Sequence, residues 1–66
     1  MEILDVRGIP HSERPEIILR KLKELGKLEI FVEVKPVPVI VMLESKGYTC
    51  KATHDQGIWK VRITEK

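Results

Sequence analysis

The spacing of apolar residues changes character five times along this chain, and each change marks an element. Glu2 to Val6 is a short extended run that ends at Arg7-Gly8, and Gly8 with Pro10 punctuates a loop. Ile18, Leu22 and Leu25 then recur at helical spacing with Ile17 beside them, while Arg20, Lys21, Lys23 and Glu24 fall mostly elsewhere. Ser12 is placed to cap this helix. Glu13 and Glu16 sit where the positive end of a helix dipole favours acids, Pro15 falls in the first turn, and Gly26 supplies a left-handed stop.

From Leu28 to Val34 the period drops to two, with Leu28, Ile30, Val32 and Val34 on one side and Glu29, Phe31 and Glu33 on the other. That is the pattern of a half-buried strand. The run from Val37 to Leu43 is ambiguous from composition alone, because its β-branched residues favour a strand while Pro38 excludes a central one. A helix that starts near Pro36 or Pro38 and stops at Gly47 gives a buried stripe of Val39, Ile40 and Leu43, and is the preferred reading. Tyr48 to Thr53 and Ile58 to Thr64 alternate as a hairpin. A four-residue loop, His54-Asp55-Gln56-Gly57, would set Ala52 opposite Trp59, Cys50 opposite Val61 and Tyr48 opposite Ile63. The order is therefore β-α-β-α-β-β, a two-layer α/β sandwich with both helices on one face of a four-stranded sheet.

Length and charge narrow the classes of function. A 66-residue chain is one domain, spanning residues 1 to 66, and buries only about 60% of the surface its unfolded form exposes, so its core must be small. With 42% hydrophobic residues it has enough apolar surface to fold. Twelve basic residues against ten acidic ones leave a net charge of +2, too little to point to nucleic acid. A single cysteine, Cys50, cannot form an internal disulfide, and with no leader-like start to the chain a reducing cytoplasm is expected. The longest apolar run, Val37 to Leu43, is far below the roughly 20 residues that span a bilayer.

Leu4-Asp5-Val6-Arg7-Gly8 resembles the opening of the TusA/SirA sulfur-carrier proteins, which place a Cys-Pro-x-Pro at the mouth of their first helix. Here that slot reads His11-Ser12-Glu13-Arg14. The chain is more similar still to a sister group of short domains, the DUF2249 family. The shared residues are Leu4-Asp5-Val6-Arg7, Ile9-Pro10, Glu13-Arg14 and Trp59-Lys60-Val61-Arg62-Ile63. That family often carries a His-Asp-Pro-Arg-Pro-like segment before its second helix, where this chain has Val34-Lys35-Pro36-Val37-Pro38. The resemblance implies a mixed sheet with the last strand between the second and third. On that arrangement Glu29 and Glu33 would lie beside Lys60 and Arg62 on the open face.

A thiol at a helix amino terminus is acidified by the dipole, and only a thiolate can accept and pass on sulfur. His11 and Ser12 cannot do so, and Cys50 lies mid-strand on the apolar face, where a cysteine acts as a small hydrophobe. His11 and His54 lack further ligands at metal spacing, so no metal or other cofactor is expected. Ser12 has no recognisable base, and no complete catalytic constellation is present.

Asp5, Arg7, Glu13 and Arg14 are the polar residues that the resemblance singles out, and His11 at the same helix mouth joins them as a candidate. They either form a structural network or, through Arg7 and Arg14 beside the helix mouth, an anion site for a small ligand or an acidic protein partner. A second candidate is the open sheet face, where Ile3, Phe31 and Ile58 with Lys60 and Arg62 could meet a protein or a second copy. RNA binding through Lys51, Lys60, Arg62 and Phe31 is disfavoured by the adjacent Glu29 and Glu33. The expected role is a noncatalytic binding or interaction module, monomeric or weakly dimeric. The alternatives are sulfur transfer through Cys50 and RNA binding.

Overall fold

A computed structural model describes all 66 residues. β1 (Ile3–Asp5) is followed by a 3-10 turn (His11–Glu13), α1 (Arg14–Leu25), β2 (Lys27–Val32), α2 (Val37–Ser45), β3 (Tyr48–Asp55) and β4 (Ile58–Glu65). The sheet order is β1-β2-β4-β3, so the last strand lies between the second and third. β1 runs parallel to β2, and the β2–β4 and β4–β3 pairs are antiparallel. No helix is long and apolar enough to cross a membrane.

α1 forms where its period placed it, but its entry differs from expectation. Ser12 does not cap it. The chain arrives through the 3-10 turn, in which Glu13 N–H donates to the Pro10 carbonyl at 3.0 Å, and no side chain caps the first turn. Pro15 lies in that first turn, where a missing N–H leaves no orphan donor. Gly26 ends the helix at φ 80°, donating its N–H to the Leu22 carbonyl at 2.7 Å. A side chain at this position would also meet the Glu65 carboxylate, since an added Cβ would lie 2.8 Å from its Oε1. The buried stripe is Arg14, Ile18 and Leu22, spaced four apart, while Leu25 sits at the rim and is 39% exposed.

β2 ends at Val32, two residues before the alternation does, and Glu33 and Val34 belong to the link into α2. α2 runs from Val37 to Ser45 with Pro38 in its first turn, and it turns Leu43 wholly inward with Val39 and Ile40 half-buried beside it. The remaining core comes from Val6, from Leu28, Ile30 and Val32 of β2, and from Val61 and Ile63 of β4, each 2% exposed or less. Full burial of such an aliphatic side chain contributes about 1.5–3 kcal/mol, so a few residues carry most of the stabilisation in a chain this short.

The hairpin is tighter than its composition suggests. Strands continue to Asp55 and restart at Ile58, leaving a two-residue turn in which Gln56 (φ 51°) and Gly57 (φ 78°) are both left-handed. The pairs are therefore Ala52 with Val61, Cys50 with Ile63, His54 with Trp59 and Tyr48 with Glu65, a shift of two from the expected register. A two-residue turn with positive φ at both positions follows the twist of the flanking strands, which explains why it displaces the longer loop. Because the shift is even, Cys50 and Ala52 still face the helices.

Candidate functional site

The mouth of α1 is assembled from four segments that the sheet order brings together. These are the loop after β1, the 3-10 turn and first turn of α1, the link after β2 and the start of α2. Asp5, at the end of β1, fixes the loop. Its carboxylate accepts the Arg7 backbone N–H at 3.0 Å and the Arg7 guanidinium at 2.6–3.1 Å. These hydrogen bonds hold the Asp5 carboxyl down at about 2, from an ordinary value of 3.8, and raise the Arg7 guanidinium above its own.

Arg14 is the buried member, only 6% exposed. Its guanidinium reaches back beneath the loop, where Nε donates to the Ile9 carbonyl at 2.7 Å and Nη2 to the Arg7 carbonyl at 3.3 Å. The same group meets Glu33 in a two-point pair, Nη1 to Oε1 at 2.5 Å and Nη2 to Oε2 at 3.3 Å. A planar guanidinium suits this task because its fork matches a carboxylate while its remaining donors satisfy carbonyls. Hydrogen bonds from Arg14 lower the Glu33 carboxyl below the usual range, and the charges of Arg14 and His11 add to that. His11 stands outside, with its side chain 72% exposed and Nε2 3.9 Å from Glu33 Oε1. Glu13 makes no ion pair or side-chain hydrogen bond, so of the five polar candidates it alone stays outside these networks.

Glu33 was expected on the open face beside Lys60 and Arg62. Its place past the end of β2 sends it to Arg14 instead. The signal that identifies Arg14 is its spacing: it lies four residues before Ile18 and eight before Leu22, on the stripe that faces the core. A charge in that register needs a buried or half-buried partner.

Between these groups lies a narrow cleft of about 70 Å³. Val6, Ile18, Ile30, Val32 and Val39 form its apolar floor, and His11, Arg14, Val34 and Pro36 its rim. It is smaller than the roughly 150 Å³ that holds a benzene ring, and matches a short aliphatic group.

The open face is a lattice of charges. Arg62 pairs with Glu29 at 3.4 Å, Lys60 with Asp55 at 3.6 Å, and Lys60 also lies 5.8 Å over the Phe31 ring. Ile3 has Glu29 as its strand neighbour and Ile58 has Asp55, so Ile3, Phe31 and Ile58 are each flanked by a charge. Glu29, Lys51, Thr53, Lys60 and Arg62 line a shallow polar basin there. Cys50 is half-buried on the opposite face; burial first, and then the nearby Glu44 carboxylate, push its thiol up. His54 stacks on Trp59 across the hairpin, with ring centroids 4.5 Å apart.

No family model matches the chain, and no curated protein matches it significantly. Among solved structures, it is similar to the crystal structure of a SirA-like protein from Desulfitobacterium hafniense. The TM-score is 0.80 at 23% sequence identity, over 96% of this chain and 95% of that one. Likeness at this identity concerns architecture, and on that ground the chain has the SirA-like fold.

Proposed function

We propose that this chain is a small noncatalytic binding module of the SirA-like fold whose recognition site is the α1 mouth. One observation carries the reading: the mouth holds a small apolar cleft with two polar side chains, His11 and Arg14, converging at its rim, a recognition pocket in miniature. Carrier chemistry at the same place would need a thiol, and His11 stands there. The lone Cys50, packed against the core, suits a reducing cytoplasm.

Two ligand classes fit this mouth in principle. An incoming anion would have to displace Asp5 from Arg7 or Glu33 from Arg14, both of which are already multiply hydrogen-bonded. A short branched aliphatic side chain on a protein partner displaces no ion pair and gains the cleft's apolar surface. The favoured ligand is therefore a protein segment with an aliphatic anchor. Titration of 15N-labelled protein with N-acetyl-leucine methylamide, and separately with inorganic phosphate, tests this. Saturable shifts at Val6, Ile18, Val32 and Val39 with the leucine probe are expected. Shifts at Arg7 and Arg14 with phosphate alone would restore the anion reading, and no response to either probe would sink the site.

A further inference from the structure

α2 is apolar at every position from Val37 to Leu43, yet the chain fully covers only Leu43. A helix that is apolar all round belongs in an interior, and this one has a bare side. Val37 and Val41, four residues apart, are 50% and 58% exposed, and Val34 in the preceding link is 54% exposed. Val37, Val41 and Glu44 share one helical stripe about 10 Å long.

The charges at its two ends indicate what covers it. Lys35 precedes the helix and Glu44 lies in its last turn, and neither takes part in any ion pair of the chain. The Lys35 ammonium has only the Trp59 ring beneath it, at 5.7 Å. Laid antiparallel about a two-fold axis, two copies of this stripe bring Val37 against Val41 in both directions. In that register Lys35 of each copy comes level with Leu43 and Glu44 of the other, within reach of the long lysine side chain once that swings off Trp59. A surface that complements itself in shape and charge under a two-fold rotation is the mark of an isologous interface.

We infer that the exposed α2 stripe is a self-association surface, through which two copies of this chain pair antiparallel with Lys35 of each opposite Glu44 of the other. So short a helix buries an area at the low end for specific complexes, and the dimer is a weak, reversible one. It leaves the open sheet face uninvolved.

Sedimentation equilibrium from about 20 µM to about 1 mM reads this directly, since a dissociation constant in that range corresponds to roughly 4–6 kcal/mol. The average mass is expected to rise towards the dimer across the series. Val41→Glu, on an exposed position, should keep the fold by circular dichroism and remain monomeric throughout. Lys35→Glu and Glu44→Lys should each weaken association about three- to ten-fold, and the double exchange should restore it. A mass that stays monomeric to 1 mM, or association untouched by Val41→Glu, would overturn the proposal. So would association abolished instead by Ile3→Glu on the open face, or a double exchange that fails to restore what the single exchanges lose.

Discussion

Arg14 and Glu33, nineteen residues apart, share two hydrogen bonds that tie the first turn of α1 to the chain leaving β2. The pair also orders the loop between β1 and α1, because the same guanidinium holds the carbonyls of Arg7 and Ile9. Replacing Arg14 with Met keeps the aliphatic stem but leaves those acceptors without donors. We expect Arg14→Met to destabilise the fold by about 2–3 kcal/mol in urea unfolding, with a smaller loss for Glu33→Gln, whose amide oxygen still accepts. A loss within about 0.5 kcal/mol for Arg14→Met would show that the clamp is not structural.

The two lowered carboxyls set an acid limit on stability. Asp5 titrates at about 2 in the folded chain against 3.8 ordinarily, and Glu33 is lowered in the same direction. The unfolded chain therefore takes up protons first as pH falls. The stabilisation is complete above the unfolded values and is lost as pH drops through about 4 towards 2. Urea midpoints between pH 7 and pH 2 should be level at first and then fall. Asp5→Asn should lower the neutral plateau and flatten part of the descent; an unchanged acid slope in that variant would refute the role given to Asp5.

Cys50 should be slow to react. Burial and the Glu44 carboxylate raise its thiol, so little thiolate forms at neutral pH. Iodoacetamide is expected to modify it at least about ten-fold faster in urea than in the folded state. Equal rates in both states would count against its packing role and revive sulfur transfer.

Gln56 is the one residue other than glycine with positive φ, at 51°. Asn tolerates that conformation better, so Gln56→Asn should stabilise by about 0.5–1 kcal/mol, and Gly57→Ala should cost about 1 kcal/mol. Thermal melts decide both, and a destabilised Gln56→Asn would contradict the turn geometry.

Element types were legible because their causes are local. Helical spacing over Ile18 and Leu22, Pro38 at the head of α2 and alternation in the last two strands each act within one turn or one strand. The hairpin register was not, since alternation fixes which face Cys50 and Ala52 occupy but is blind to an even shift. Glu33 was missed for a related reason. The alternation runs on to Val34, and only the need to reach α2 ends β2 at Val32. The cleft was missed altogether, as its floor joins Val6, Ile30 and Val39, which are distant in sequence.

The strand order also governs when this protein can fold. β2 and β3 never pair with each other; each joins the sheet through β4, which follows both in the chain. During synthesis, everything up to Asp55 emerges with the middle of its sheet missing, leaving the β4-facing edge of β2 without its backbone partners. Closing the sheet therefore depends on the long-range pairing of β2 with β4, the kind of contact that slows folding.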